Sequence, residues 1–295
     1  MLTEEEIGKY KQAGKVVSGI KKDVLSKIRV GSRLLDIAEE MEKKISDGGA
    51  RPAFPVNISI NEIAAHFTPQ VNDARTVKAG DLVKIDMGAH IDGYIADMAF
   101  TWCSEKNDLI RASTDVLQAG IDAVRPGARV SDISLAISKA IEGAGFGPIV
   151  NLTGHSLGRY KFHGGVSIPN IPNENGYVLQ HGDVVALEPF VCETAGRVDD
   201  SGPVEIYQFA QRRPVRSMEG RKILQLAEND FGGLPFAKRW LVRHITPIRV
   251  KMAILELERV NALRSYPVLK NMEGGKIAQA EHTIIVADEP IVTTL

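Results

Sequence analysis

Residues 79–86 read A-G-D-L-V-K-I-D and residues 181–188 read H-G-D-V-V-A-L-E. Each stretch is a Gly-Asp turn followed by an apolar strand, and each ends in a carboxylate six residues after the glycine: Asp86 in one, Glu188 in the other. The echo extends upstream. Val30-Gly31-Ser32-Arg33 runs to Asp36-Ile37, and Pro126-Gly127-Ala128-Arg129 runs to Asp132-Ile133. A unit duplicated in this way predicts two half-domains that face one another across a shared acidic site.

Around the repeats the elements fall into order. Thr3-x-x-Glu6 is a capping box, and the apolar spacing after it predicts a helix closed by Gly31. A second helix fits residues 32–47, stopped by Gly48-Gly49. Residues 51–67 read as irregular to extended, with alternating Val56, Ile58 and Ile60. Residues 82–102 read as a hairpin turning near Asp92-Gly93. Helices are expected at 106–124 and 129–143, and strand-like segments at 148–153 and 183–191. After Glu188 the symmetry breaks, because no return strand follows until Lys276–Val286. The stretch between holds a basic cluster (Arg212, Arg213, Arg216, Arg221, Lys222) and two helical patterns, 219–230 and 247–264. We read 197–265 as an insertion, and 1–196 plus 266–295 as the main domain.

Bulk properties narrow the function. The chain has 295 residues, 44% of them hydrophobic, with a net charge of −1. That balance is ordinary for a globular protein and provides no global field for nucleic acid or an anionic membrane. No apolar run approaches the ~18 residues that span a bilayer. The acidic start, Met-Leu-Thr-Glu-Glu-Glu, does not read as a signal peptide. With Cys103 and Cys192 as the only cysteines, neither a disulfide framework nor a cysteine zinc site is expected. These properties point to a cytoplasmic setting.

Asp86 and Asp97 lie on opposite arms of the expected hairpin. An Ile91-Asp92 loop makes them directly opposite, whereas an Asp92-Gly93 loop, which suits turn chemistry better, sets Asp97 opposite Gly88 and diagonal to Asp86. Side chains alternate with period two, so both registers place the two acids on one face, with Cβ atoms ~5 or ~7–8 Å apart. Two acids this close on an apolar face repel unless a cation joins them. By the repeat, Glu188 corresponds to Asp86, and Glu281 in A-Q-A-E-H-T is the return-strand counterpart of Asp97. His155, which follows a strand and a glycine, is the best-placed imidazole to complete a metal site. Mostly oxygen ligands with one His suit Mn, Fe, Co or Zn in a working site better than a structural zinc.

These residues resemble a known family. The chain is similar throughout to type II methionine aminopeptidases in their short, archaeal-like form. The likeness is carried by P-A-F-P-V-N-I-S-I-N-E-I-A-A-H (52–66), K-I-D-M-G-A-H-I-D-G-Y-I-A-D (84–97) and G-H-S-L-G-R-Y-K-F-H-G-G (154–165). It continues in L-E-P-F (187–190), L-P-F-A-K-R-W (234–240), Y-P-V-L (266–269) and A-Q-A-E-H-T (278–283). The resemblance implies an α+β pita-bread fold, a curved antiparallel sheet with pseudo-two-fold symmetry, with 197–265 as a helical insertion subdomain. It implies two divalent metal ions (Co, Mn, Fe, Zn or Ni) on Asp86, Asp97, His155, Glu188 and Glu281. It makes Glu188 the general base, His163 the donor to the oxyanion and His66 the contact to the scissile amide. Phe54, Phe162, Phe190, Ile206, Pro235 and Tyr266 resemble the methionine pocket, with Ile206 in the stretch that matches most loosely. The implied activity is removal of initiator methionine from nascent chains with a small second residue, by a monomer, with ribosome docking left open.

Other readings make different demands. Gly154-His155-Ser156-Leu157-Gly158 fits G-x-S-x-G, but a nucleophile elbow needs a strand turning into a helix, and Arg-Tyr-Lys-Phe-His-Gly-Gly follows instead. A non-catalytic binding protein on this fold is expected to lose metal ligands, and all five matching positions are intact. A proline-specific aminopeptidase or dipeptidase would have a large N-terminal domain and lack the insertion.

Overall fold

The computed structural model describes residues 2–295. Helix α1 (Glu4–Lys27) opens with the expected capping box: Thr3 Oγ1 accepts from the Glu6 N–H at 3.3 Å, and Glu6 Oε2 accepts from the Thr3 N–H at 2.8 Å. The helix ends before Gly31. Ile28 turns extended (φ −63°, ψ 133°) to enter the core, and the Gly31 N–H donates to the Val77 carbonyl. Helix α1 lays its apolar stripe on the hairpin strands Val83–Ile91 and Tyr94–Trp102, and helix α2 (Leu34–Asp47) packs beside it against α1 and the strands Arg51–Pro52 and Asn57–Ile60. Val17, Met41, Ile45, Val83, Ile85 and Met87 are fully buried in that layer.

The hairpin turn settles the register. Asp92 and Gly93 have φ of 50° and 87°, the left-handed pair of a type I′ turn whose twist matches the strands. Asp97 therefore pairs with Gly88, and Asp86 with Ala99. The second half repeats the layering. Helices α3 (Asp108–Asp122) and α4 (Val130–Gly143) bury Ile133, Ile137 and Ile141 against Val185, Leu187 and Ile284. The sheet beneath is ordered Ile291–Val292, His282–Ile285, Val184–Leu187, Thr153–Leu157, Ser167–Pro169. A shorter ladder joins Phe190–Cys192 to Ile277–Gln279. The 183–191 strand is thus interrupted at Glu188-Pro189, and of the expected 148–153 strand only Gly147–Pro148 and the start of Thr153–Leu157 are extended.

The halves meet along Tyr94–Trp102 and Ile277–Ile285. The Glu281 N–H donates to the Ala99 carbonyl at 2.9 Å. On one side, Thr283 Oγ1 accepts from the Asp97 N–H (2.7 Å) and donates to the Asp97 carbonyl (2.9 Å). On the other, Thr101 Oγ1 accepts from the Gln279 N–H and donates to the Gln279 carbonyl, both at 2.8 Å. Each hydroxyl satisfies a buried donor and acceptor at once, and so stands in for a missing backbone rung.

Residues 197–265 differ from a purely helical insertion. Strand Val198–Phe209 pairs with Leu263–Asn271, which straddles the 265/266 boundary and also pairs with Ile63–Ala65. Helix α5 (Met218–Gln225) widens into a π turn at Leu226–Asp230, α6 is the single turn Lys238–Leu241, and α7 (Pro247–Arg259) stops well before residue 264. Asn261, left-handed at φ 53°, turns the chain from α7 into the strand at Leu263. This stretch has its own apolar cluster, including Tyr207, Ile223, Leu241, Ile254 and Leu257. A buried ion pair pins it to α2. Arg239 donates to Glu42, while Glu42 also accepts from the Trp240 indole (2.8 Å) and the Val56 N–H (3.1 Å). Among the described residues, no helix is long and apolar enough to cross a membrane.

Replacing Thr101, which is 8% exposed, by the near-isosteric Val leaves the Gln279 N–H and carbonyl buried without partners. Thr101→Val is expected to destabilise the fold by about 2 kcal/mol or more, read as a lower urea midpoint with an unchanged m-value.

Candidate active site

The seam opens into a cavity whose wall carries every residue singled out in the sequence: Asp86, Asp97, His155, Glu188, Glu281, His66, His163, Phe54, Phe162, Phe190, Ile206, Pro235 and Tyr266. Three further lining residues, Asn57, Ala65 and Leu152, were not singled out. Asn57 was legible in principle: Val56 and Ile58 alternate around it, which turns its amide to the opposite face.

Four strands supply the acids. Asp86 and Asp97 sit diagonally on the first hairpin. Glu188 and Glu281 fall in the gap between the ladders Val184–Leu187/His282–Ile285 and Phe190–Cys192/Ile277–Gln279. Both ladders keep one register, so these two acids stand opposite each other. His155 is held by the neighbouring strand, where it pairs with Ala186.

The lone pairs converge. His155 Nδ1 lies 3.3 Å from the Ser156 carbonyl, which can only accept, so Nδ1 carries the proton. Nε2 is left as a bare acceptor, 3.5 Å from Glu188 Oε1 and 3.8 Å from Asp97 Oδ2. Ligand atoms of Asp97, His155 and Glu281 all lie within 4.8 Å of one another. Asp86 Oδ1, Asp97 Oδ1 and Glu281 Oε1 are buried with no hydrogen-bond partner.

Burial drives the electrostatics. It pushes the Asp86 carboxyl up to about 7. Asp97 is raised well above the usual carboxylate range by burial and then by Asp86. Burial likewise raises Glu188, aided by Asp97 and Asp86, and Glu281, aided by Asp97 and Glu188. The imidazoles move the other way. Burial, with the repulsion that a protonated His163 would add, depresses His155 to about 3, and desolvation lowers the half-buried His66 and the more exposed His163 to about 4. A neutral imidazole among unpartnered carboxylate oxygens is a donor set for a divalent transition-metal cation.

Beside the acids the wall is aromatic. The Phe54 and Phe162 rings are 4.7 Å apart, and Phe162 lies 4.6 Å from His163. Phe54 rests on the backbone of Gly88, where an added Cβ would come within 2.3 Å of Cε1. Ile206 pairs with Tyr266 across the long strands, and the Tyr266 hydroxyl donates to Gln208 Oε1 at 2.5 Å. His66 sits in left-handed backbone at φ 62°, an unfavourable conformation for a non-glycine residue. Its Nδ1 donates to the Pro267 carbonyl at 3.1 Å, which leaves Nε2 as an acceptor.

A family model, metallopeptidase family M24, matches residues 8–287. The chain belongs to the M24 metallopeptidases. It is 46% identical over 281 residues to a methionine aminopeptidase of Thermococcus onnurineus, covering 94% of this chain and 95% of that one. It superposes on a thermophilic Arx1 with a TM-score of 0.87 at 19% identity, covering 99% and 91% of the two chains. With the Thermotoga maritima methionine aminopeptidase the TM-score is 0.70 at 24% identity, covering 99% and 98%. Both structures share the M24 pita-bread fold. M24 membership implies use of a divalent metal, which fits the donor set above. The serine-hydrolase alternative fails on geometry: Ser156 lies within strand Thr153–Leu157, no helix follows it, and its hydroxyl accepts from the Val166 N–H.

In the metal-free protein, carboxyls with raised folded-state pKa values favour folding at low pH, and that stability is lost as pH rises through the folded values. The buried histidines, lowered in the fold, act oppositely, mainly below their unfolded pKa near 6.5. Lys84, lowered to about 7 by burial, also titrates in this range but is present in both forms. The stabilisation by added Mn²⁺ or Co²⁺ is therefore expected to grow between pH 6.5 and 8. Paired thermal melts with chelator and with metal at each pH check this; a constant difference would contradict it.

Proposed function

We propose that this chain is a dinuclear metalloaminopeptidase that removes N-terminal methionine from peptides and nascent proteins. One observation carries the reading: unpartnered lone pairs of buried carboxylates and a neutral His155 converge beside a closed aromatic wall. Two divalent ions, held by Asp86, Asp97, His155, Glu188 and Glu281, would supply Lewis acidity and an activated water nucleophile.

The chain's own groups complete the chemistry. Glu188 takes the proton of the attacking water and passes it to the leaving amine. His163, neutral at pH 7, keeps one N–H to donate to the oxyanion. His66 presents Nε2 as an acceptor for the scissile amide N–H. Phe54, Phe162, Phe190, Ile206, Pro235 and Tyr266 enclose the methionine side chain and exclude water. Residues 197–265 form the insertion that supplies Ile206 and Pro235 to this wall. A small second residue is preferred, and the setting is the cytoplasm, with the enzyme acting as a monomer.

Cleavage of a Met-Ala-Ser peptide is expected to disappear on chelation and return with Mn²⁺, Fe²⁺ or Co²⁺. Asp97→Ala and Glu281→Ala should abolish it. His163→Ala should lower kcat about 10²-fold with little change in KM. Ser156→Ala should leave kcat/KM at the wild-type value. Cleavage that persists through chelation would overturn the reading.

A further inference from the structure

Asn57 is given no role by the proposed chemistry, yet it lies on the cavity wall and is 4% exposed. It sits on strand Asn57–Ile60, directly opposite Asp86 across the antiparallel ladder. Opposite residues share a face, with Cβ atoms about 5 Å apart. The amide orientation is fixed by its neighbour: Nδ2 donates to the Pro55 carbonyl at 2.9 Å. The flipped amide would set two oxygens against each other. Asn57 Oδ1 is therefore the free end of the side chain, buried and without a partner. Asp86 Oδ1, on the facing strand, is equally unpartnered. Two acceptor oxygens on adjacent strands thus form a cradle with no donor of its own.

Resting on the methionyl-peptide reading above, we propose that Asn57 is a recognition residue for the free α-amino group of the substrate. The argument is a census of donors. The methionine side chain has no N–H or O–H, and the scissile amide has one N–H, which His66 Nε2 accepts. The α-amino group is the remaining donor near the scissile bond. It carries several N–H bonds, and with a pKa of about 7.7–8.0 it is largely charged at pH 7. A neutral amide oxygen beside Asp86 accepts from it without adding a fifth buried carboxylate to the site. Acylation of the amino group removes these donors and adds bulk in the cradle, so Asn57 also helps restrict the enzyme to free N-termini.

The test compares binding of two probes to the metal-loaded enzyme by calorimetry: L-methioninamide, and the amide of 4-(methylthio)butanoic acid, which lacks the amino group. Metal content is measured on every sample. Asn57→Ala is expected to weaken methioninamide at least tenfold and to leave the desamino probe and the metal content unchanged. Asn57→Asp retains an acceptor oxygen and is expected to keep the preference for the amine. Equal weakening of both probes by Asn57→Ala would overturn the proposal in favour of a packing role. Loss of metal would reassign Asn57 as a ligand, and unchanged binding of methioninamide would deny it any role. Wild-type protein that neither binds methioninamide nor cleaves Met-Ala-Ser would instead overturn the functional reading, and this inference with it.

Discussion

Four carboxylates crowded into one cavity, Asp97 and Glu281 buried and Asp86 and Glu188 half-buried, are the constraint on which the rest of the structure depends. Burial raises the proton affinity of each, and for Asp97, Glu188 and Glu281 the neighbouring acids raise it further. Such a cluster is stable as anions only with a cation between its members, and useful only if its members cannot drift apart. The seam supplies that rigidity. Asp97 is gripped through its own N–H and carbonyl by Thr283, and Glu281 through its N–H by Ala99. The two acids on the return strands are thus fixed by the same bonds that join the halves, so folding and assembly of the site are one event.

The duplication supplies the acids, but the two halves use them differently. In the first hairpin a type I′ turn sets Asp86 and Asp97 on a diagonal. In the second half Glu188 and Glu281 stand directly opposite, in a gap where Pro189 has no N–H to give and the ladder is broken. The break removes rungs from the sheet at the point where two carboxylates must face into the cavity. It also sets Glu188 within reach of His155 on the adjoining strand. A strictly symmetric site would give Glu188 the surroundings of Asp86; the register difference gives it a neighbourhood of its own.

Much of this was legible before the fold. The repeated Gly-Asp-strand-acid unit located Asp86 and Glu188, and period-two alternation was enough to put Asp97 on the face of Asp86 in either register. The family motifs carried the rest of the cavity wall. Turn chemistry favoured the Asp92-Gly93 loop over Ile91-Asp92, as the left-handed angles of both residues bear out. What was hidden had physical reasons. The long strands Val198–Phe209 and Leu263–Asn271 lie on either side of a stretch whose helical periodicity dominated the reading, and Arg264, Tyr266 and Val268 do not reveal a pairing partner more than fifty residues away. The seam was invisible because it is made by threonine hydroxyls, which leave no periodic trace. Asn57 escaped because alternation with Val56 and Ile58 gives its face but not what that face meets, which is fixed by the strand opposite.

The cavity's hydrogen-bonding character narrows what it can hold. His66 and His155 each donate Nδ1–H to a backbone carbonyl and face inward with a lone pair. The acids add only acceptors while ionised, and Asn57 adds another. Burial keeps the imidazoles neutral at physiological pH, so they do not neutralise the carboxylates themselves. His163 is the imidazole with no backbone acceptor for its remaining N–H, and therefore the one free to donate. A site so rich in acceptors takes a further acceptor only beside His163. It admits cations, N–H donors and, on the side of Phe54 and Phe162, an unbranched apolar chain. An N-terminal methionyl residue provides the amine, one amide hydrogen and a flexible thioether in the span of a single residue. The left-handed backbone of His66 belongs to the same logic: strain at that residue turns its ring so that one nitrogen is tied to Pro267 and the other is left free on the cavity wall.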